Sequence, residues 1–159
     1  MKNLIIILVV SLFFSCNETN EMVEQFNYQA SIEFSILNSQ NEDLLNPENS
    51  NHLDETKIKL FYVINGIKQE VNNPNYDYPR GFRIYKHENE YRIGVTLNSN
   101  ELTEKPITYI QWNDNDIDTI EVVFNRTQNS VLQNMIWLNG TQVWERGNNT
   151  IDPYFVLIK

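Results

Sequence analysis

Residues 26–36 read FNYQASIEFSI, and their pattern decides the fold class. The odd positions from Asn27 to Ser35 are polar. Every even position is apolar or aromatic: Phe26, Tyr28, Ala30, Ile32, Phe34 and Ile36. Side chains on a strand alternate between two faces, so this period of two predicts one strand with a buried side and a solvent-facing side. A helix would scatter the same apolar side chains around its axis.

An Asn-Gly pair within residues 57–71, KIKLFYVINGIKQEV, predicts a β-hairpin. Asn65-Gly66 suits a two-residue type I′ turn, which needs positive φ at both central residues. Directly opposed residues share a face of the sheet. The core face is therefore expected to carry the pairs Ile64/Ile67, Tyr62/Gln69 and Leu60/Val71, and the other face Val63/Lys68 and Phe61/Glu70.

A second Asn-Gly pair, Asn139-Gly140, lies within residues 135–144, MIWLNGTQVW. The same turn would place on one face Leu138/Thr141 and Ile136/Val143, and on the other Trp137/Gln142 and Met135/Trp144. Both faces of this hairpin are then apolar. Met135, Trp137 and Trp144 are candidates for a partner surface or a flat platform for sugar rings. Packing in the core or against a second sheet is the favoured alternative, because Trp is usually largely buried.

Further strands are predicted at residues 82–87, 90–97, 107–112, 119–124 and 152–159. Turn signals separate them, and no long segment has helical periodicity. The sequence therefore predicts an all-β fold, an antiparallel β-sandwich of about eight or nine strands, immunoglobulin-like or transthyretin-like. It forms a single domain over residues 26–159.

The N-terminus predicts export and a lipid anchor. Residues 1–15 carry Lys2 and then an apolar run from Leu4 to Phe14. As a helix this run would span only about 16 Å, which is short for a membrane core of roughly 30 Å but typical of a signal peptide. Ser15-Cys16 after this run resembles a bacterial lipobox, which implies cleavage before Cys16 and lipidation of its thiol. An ordinary secretory signal is the alternative.

Residues 16–25 then form an acidic tether, and Asn17 after the lipidated Cys favours the outer membrane by analogy. Whether the domain faces the periplasm or the cell exterior stays open. The chain of 159 residues has a formal net charge of −9, with its 12 basic residues scattered, so a nucleic-acid partner is excluded.

Catalytic motifs are weak. The two histidines, His52 and His87, stand 35 positions apart in polar, turn-like settings. The sequence lacks a nucleophile elbow, a paired-His metal motif and a phosphate-binding glycine loop. Cys16, the single cysteine, would be lipidated and unavailable as a nucleophile. An enzyme is therefore the minority interpretation, and we predict no catalytic residue.

An acidic stretch at residues 111–124, QWNDNDIDTIEVVF, places Asp114, Asp116 and Asp118 on alternate positions. Such a spacing fits the first ligands of a calcium loop, but Thr119 stands where the loop needs Gly and Asn125 where it needs Glu. We favour a polar turn between two strands. A looser Ca²⁺ site on these carboxylates is the alternative, and no other cofactor is expected.

An aromatic-rich loop, NNPNYDYPRGF, covers residues 72–82 and contains Tyr76, Tyr78, Arg80 and Phe82. Tyr offers a wide contact area at low entropic cost, and loops on a rigid sandwich are common binding surfaces. These four residues are candidates for a ligand or partner surface. The alternative is that the rings fold back and cap the end of the sandwich.

Four segments together resemble a group of small Bacteroidetes-type lipoproteins of uncharacterised function: EDLLNPENSN (42–51), IKLFYVING (58–66), DTIEVVF (118–124) and IWLNGTQVW (136–144). The resemblance implies a β-sandwich lipoprotein of the cell envelope and names no activity. Asp118-Thr119-Ile120 also resembles the O-glycosylation acceptor of such bacteria, which implies a glycan on Thr119. We therefore expect a non-catalytic envelope module that contacts protein or glycan; the alternatives are a structural subunit of an envelope complex and a small hydrolase.

Overall fold

The computed structural model describes residues 25–148 and 152–159. The predicted signal peptide (1–15), the predicted lipidation at Cys16 and the predicted tether up to residue 24 lie outside them. Within these two ranges the chain forms eleven strands and a short 3₁₀ helix at Glu55–Lys57. The strands are β1 (Asn27–Gln29), β2 (Ser31–Leu37), β3 (Lys59–Ile64), β4 (Ile67–Glu70), β5 (Phe82–His87), β6 (Glu90–Thr96), β7 (Ile107–Asn113), β8 (Asp116–Thr127), β9 (Ser130–Leu138), β10 (Thr141–Glu145) and β11 (Tyr154–Ile158).

Two sheets form the fold, and the predicted all-β sandwich is confirmed. The seven-stranded sheet has the order β1-β9-β8-β7-β3-β4, and β10 also pairs with β9. The four-stranded sheet has the order β11-β2-β6-β5. Most pairs are antiparallel, as expected. Each sheet also contains one parallel pair that the sequence did not indicate, β1 with β9 and β11 with β2.

The stretch 26–36 forms two strands instead of the single predicted one. β1 belongs to the large sheet and β2 to the small sheet, so the chain crosses between the sheets at Ala30. The apolar side chains of β2 are buried as predicted, whereas Phe26 and Tyr28 are each 55% exposed. The alternation of residue types continues through the crossing, which is why the pattern alone does not reveal it.

Both Asn-Gly turns have the predicted backbone conformation, with φ of 50° at Asn and 78° at Gly in each. The first hairpin, β3–β4, also has the predicted register, with Ile64 opposite Ile67. In the second, β9–β10, the predicted register fails after Gln142. A β-bulge there places Trp144 opposite Ile136.

This bulge moves Trp144 to the other face of the hairpin, because one extra residue reverses every later side chain. Trp144 is only 4% exposed and belongs to the core, and Glu145 is the residue opposite Met135. The predicted surface made of Met135, Trp137 and Trp144 is therefore wrong in one member.

The core joins the inner faces of the two sheets. Phe34 of the small sheet packs edge-to-face on Trp112 of the large sheet, with ring centroids 6.2 Å apart, and stacks on Phe155 at 4.6 Å. Buried aliphatic side chains from both sheets surround these rings. In the part of the chain that the structure describes, no helix is long and apolar enough to cross a membrane.

Strand β2 gives the sandwich two distinct ends. It begins at Ser31, which pairs with Thr96, and finishes at Leu37, whose carbonyl accepts the backbone N–H of Lys159. Residues around Thr96 and residues around Lys159 therefore lie at opposite ends. We call the first the tyrosine end and the second the acidic end, after the side chains described next.

Candidate functional site

A cleft of about 520 Å³ opens at the tyrosine end. Four tyrosine rings line it. Tyr76 and Tyr78 come from the loop between β4 and β5, Tyr28 from β1 and Tyr62 from β3. This tyrosine cleft therefore draws on both strands and loop, and its volume falls in the range of small-molecule sites.

Polar side chains stand between the rings. Asn75, Asp77, Ser99 and Asn100 line the same cleft. The hydroxyls of Tyr28 and Ser99 are hydrogen-bonded to each other, which fixes the Tyr28 ring at the edge of the cleft. Aromatic faces alternating with hydroxyl, amide and carboxylate groups give a surface that accepts apolar and polar contacts at once.

Tyr62 forms the deepest ring of the cleft. Its hydroxyl donates to the backbone carbonyl of Thr96 at 3.0 Å, which links the large sheet to the small one. Burial, assisted by the nearby Tyr28 and Tyr76, raises the pKa of Tyr62 above its ordinary value. This phenol therefore stays neutral, and its role in the cleft is an aromatic wall.

Hydrogen bonds within the β4–β5 loop hold Tyr76 and Tyr78 in place. Asn73 donates its backbone N–H to Pro79 O at 2.9 Å and accepts one from Tyr76 at 3.1 Å. Gly81 donates its N–H to Tyr78 O at 2.8 Å. Because the loop is closed by its own backbone, the backbone positions from which the Tyr76 and Tyr78 rings project are set before any ligand binds.

Gly81 ends this loop at a position that only glycine fits. Its φ is +76°, in the left-handed region, and an added Cβ would lie 2.8 Å from Leu60 Cδ2 and 2.9 Å from Val71 Cγ1. Conformation and space therefore both require glycine. The tight turn allows the loop to lie against the end of the sandwich instead of projecting away from it.

The other two predicted residues of this loop lie outside the cleft. Phe82 is 5% exposed and belongs to the core, so its prediction as a surface residue is wrong. Arg80 is half-buried and donates to the Glu55 carboxylate at 2.7 Å and to the Glu55 carbonyl at 2.9 Å. Arg80 therefore anchors the loop to the 3₁₀ helix.

The acidic end is built around Asp118, which is 6% exposed. Its carboxylate accepts from Trp112 Nε1 at 2.6 Å and from Asn139 Nδ2 at 2.7 Å, and it forms an ion pair with Lys159 Nζ at 2.9 Å. Burial opposes its ionisation, but these three donors outweigh burial and lower the pKa of Asp118. The carboxylate therefore stays charged and fully engaged.

The other two predicted metal ligands, Asp114 and Asp116, are more exposed than Asp118. Lys159 Nζ also lies 2.8 Å from Asp116, whereas Asp114 is exposed in the turn between β7 and β8. The stretch does connect two strands, but β8 begins at Asp116 and not at the predicted Thr119, so Asp116 and Asp118 lie in the strand and Asp114 in the turn. Among the described residues, no group of three or more His, Cys, Asp or Glu side chains is arranged to hold a metal ion.

Thr119, the predicted glycan acceptor, lies in β8 on the outer face of the large sheet. Its neighbours in β8, Asp118 and Ile120, are buried, while Thr119 itself is half-buried. Its backbone N–H donates to Asn139 Oδ1 at 2.9 Å. The prediction of O-glycosylation stays a prediction.

On the same outer face lie the two remaining members of the predicted hairpin surface, Met135 and Trp137. Both are half-buried. The Lys105 ammonium lies 3.9 Å from the centroid of the Trp137 ring, a cation–π contact that covers part of the indole. This face is therefore less apolar than the sequence suggested.

Sequence reasoning missed Tyr28 and Tyr62 as cleft residues, because both occupy positions that the strand pattern assigns to the core. A tyrosine among aliphatic core positions was the available signal, since a buried phenol needs a hydrogen-bond partner and often finds it at the edge of a core.

Comparison of the chain with protein-family models, with curated proteins and with solved structures finds no match.

Proposed function

We propose that this protein is a non-catalytic lipoprotein of the cell envelope, anchored in the outer membrane through Cys16, and that its tyrosine cleft binds a neutral glycan. The observation that carries the proposal is the composition of the cleft. Four tyrosine rings line it together with five small polar residues, Asn75, Asp77, Thr96, Ser99 and Asn100. Leu97, the aliphatic residue in its lining, is buried.

Sugar rings fit such a surface for a physical reason. The C–H face of a pyranose is apolar and packs on an aromatic ring, whereas its rim carries hydroxyls that donate and accept hydrogen bonds. Asn75, Asn100 and Asp77 provide groups that bond to neighbouring hydroxyls.

Charge favours a neutral ligand over an acidic one. The chain carries a formal net charge of −9, and Asp77 adds a carboxylate within the cleft. An anionic polysaccharide would approach against this field. Neutral oligosaccharides meet no such barrier.

Binding of a neutral glycan array by the full-length protein in mild detergent tests this function. We expect at least one neutral oligosaccharide to bind, and Tyr76→Ala to weaken its affinity about tenfold, which is about 1.4 kcal/mol. Tyr76 is 56% exposed, so the substitution spares the core. Tyr109→Ala, a half-buried tyrosine on the outer face of the large sheet, is the matched control and should bind normally.

Absence of neutral glycan binding, or equal loss in the two tyrosine variants, would overturn the proposal. Capture of peptides alone on a parallel peptide array would do the same.

The lipid anchor needs its own test. Cys16→Ala should move the protein from the membrane fraction to the soluble fraction of the envelope, because alanine has no thiol to carry the lipid. Stable anchoring needs two or more acyl chains. Retention of the variant in membranes would contradict the anchor without affecting the glycan site.

A structural subunit of an envelope complex is the second candidate. It would use the outer face of the large sheet, where Met135 and Trp137 stay partly exposed. Burial of Trp144 removes one of the two tryptophans that this alternative expected on the surface. A stable hetero-complex in mild detergent extracts would favour it over the glycan-binding module.

A further inference from the structure

Two further depressions adjoin the tyrosine cleft, one on each side. On one side a depression of about 490 Å³ shares Tyr28 and Thr96 with the cleft. On the other side a depression of about 250 Å³ shares Tyr62, Tyr76 and Asn100 with it. The three spaces therefore follow one another in a row across the tyrosine end, with tyrosines at both boundaries.

The larger flanking depression, which we call the Arg146 depression, mixes polar side chains with the apolar residues Ala30 and Pro153. Gln29, Ser31, Arg146 and Asp152 line it. Arg146 is held rigidly, donating to Gln29 Oε1 at 2.8 Å and to the backbone carbonyl of Gln133 at 2.8 Å. The wall of the Arg146 depression therefore presents hydrogen-bonding groups in fixed positions.

Gln133 lines the same depression and is almost fully buried. Its Nε2 donates to Ser31 O at 3.2 Å, while its Oε1 has no hydrogen-bond partner among the described residues. A buried acceptor without a donor is unfavourable. A hydroxyl that enters this depression, after a small movement of the side chain, would supply that donor.

The smaller flanking depression, on the β4 side, is likewise mixed, with Ile64 and Val71 among its lining residues. Gln69, Asn72 and Asn73 contribute side-chain amides beside Tyr62 and Tyr76. The depression on the β4 side therefore presents amides, the tyrosine cleft presents aromatic rings, and the Arg146 depression presents amides and a guanidinium group.

We propose that the three depressions form one continuous groove for a linear neutral oligosaccharide, which crosses Tyr76 and Tyr28 on its way from β4 to Arg146. This inference rests on the proposed glycan function and adds that the ligand is a chain longer than the tyrosine cleft alone can hold. A chain of linked sugar units suits a row of adjoining sites, because each added unit gains contacts after the first has bound.

The dependence of affinity on chain length tests the groove. Malto-, cello- and xylo-oligosaccharides, each as the di-, tetra- and hexasaccharide, are titrated into the full-length protein in mild detergent. In the series that binds, we expect affinity to rise about tenfold from the disaccharide to the hexasaccharide.

Ser31→Trp fills the Arg146 depression from an exposed position of β2. It should remove most of the gain with length and leave the disaccharide affinity unchanged. Ser39→Trp, an exposed serine outside the groove, is the matched control and should keep the full gain. Gln29→Trp on β1 serves the same purpose should Ser31→Trp fail to fold.

The outcomes separate the two proposals. Failure of these three series and of every neutral glycan on the array to bind would reject the glycan function itself. Binding of the disaccharide with no gain from longer chains, or a full gain in both Ser31→Trp and Gln29→Trp, would reject the continuous groove and keep a short-ligand cleft.

Discussion

The two ends of the sandwich differ in how far their polar groups are buried and hydrogen-bonded. At the acidic end, Asp118 accepts from Trp112, Asn139 and Lys159 and is sealed from solvent. At the tyrosine end, the rings of Tyr28 and Tyr76 are more than half exposed beside amide and carboxylate groups. A closed polar network stabilises a fold, whereas exposed aromatic rings beside polar groups are suited to a ligand.

The acidic sequence motif and the candidate binding cleft therefore lie at different ends of the sandwich. The three alternate aspartates attract attention in the sequence, yet Lys159 pairs with two of them and makes them part of the frame. The cleft lies at the other end and is built mainly from tyrosines. Four experiments, in order of decreasing effect, test this contrast between the two ends.

Gly81→Ala should lower the free energy of unfolding by about 3 kcal/mol, because it combines strain at positive φ with a clash against Leu60 and Val71. Gly140→Ala at the acidic end has a similar φ but meets no atom within 4 Å, and should cost only about 1 kcal/mol. Urea denaturation measures both. Equal losses would mean that the loop at the tyrosine end is not packed as described.

Asp118→Asn should lower the free energy of unfolding by about 2 kcal/mol, because Lys159 loses its buried partner. Asp114→Asn, in the same stretch but exposed, should stay within about 0.5 kcal/mol of the parent. Chemical denaturation at neutral pH compares them. A large effect at Asp114 with none at Asp118 would contradict the structural role of the acidic end.

The pH dependence of stability should carry the signature of Asp118. Its pKa in the folded state is lowered from the ordinary value of 3.8, so the folded state favours the charged form. The resulting stability is complete above that value and is lost as the pH falls through the lower folded pKa. Denaturation midpoints between neutral and strongly acidic pH should therefore fall less steeply in Asp118→Asn than in the parent; parallel curves would argue against this assignment.

Calcium should change the melting temperature by less than about 1 °C, because the Lys159 ammonium already pairs with Asp116 and Asp118. Melting with added calcium and then with EDTA measures the shift. A rise of several degrees that EDTA reverses would restore the metal site that the spacing suggested.

Local turn chemistry was predictable from the sequence, and long-range placement was not. Both Asn-Gly turns follow from the need for positive φ at two neighbouring residues. The bulge after Gln142 leaves no such signal, so Trp144 was placed on the wrong face. The crossing at Ala30 and the parallel pairing of β11 depend on which strands meet in space, and alternation alone cannot encode that.

The same limit explains the partial prediction of the candidate site. Tyr76 and Tyr78 stand in a loop, where their role follows from local composition, and both line the cleft. Phe82 is the first residue of β5, and its side chain is buried in the core. Tyr28 and Tyr62 enter the cleft only because the sheets bring β1, β3 and the loop to the same end.

A titration followed by nuclear magnetic resonance shows at which end of the sandwich the ligand binds. The backbone amide signals of the labelled protein are recorded while the hexasaccharide that binds is added. We expect changes at Tyr28, Tyr76, Ser99 and Asn100, and unchanged signals from Asp114 to Asp118. Changes centred on the acidic end, or on Trp137 and the outer face of the large sheet, would contradict the assignment of binding to the tyrosine end.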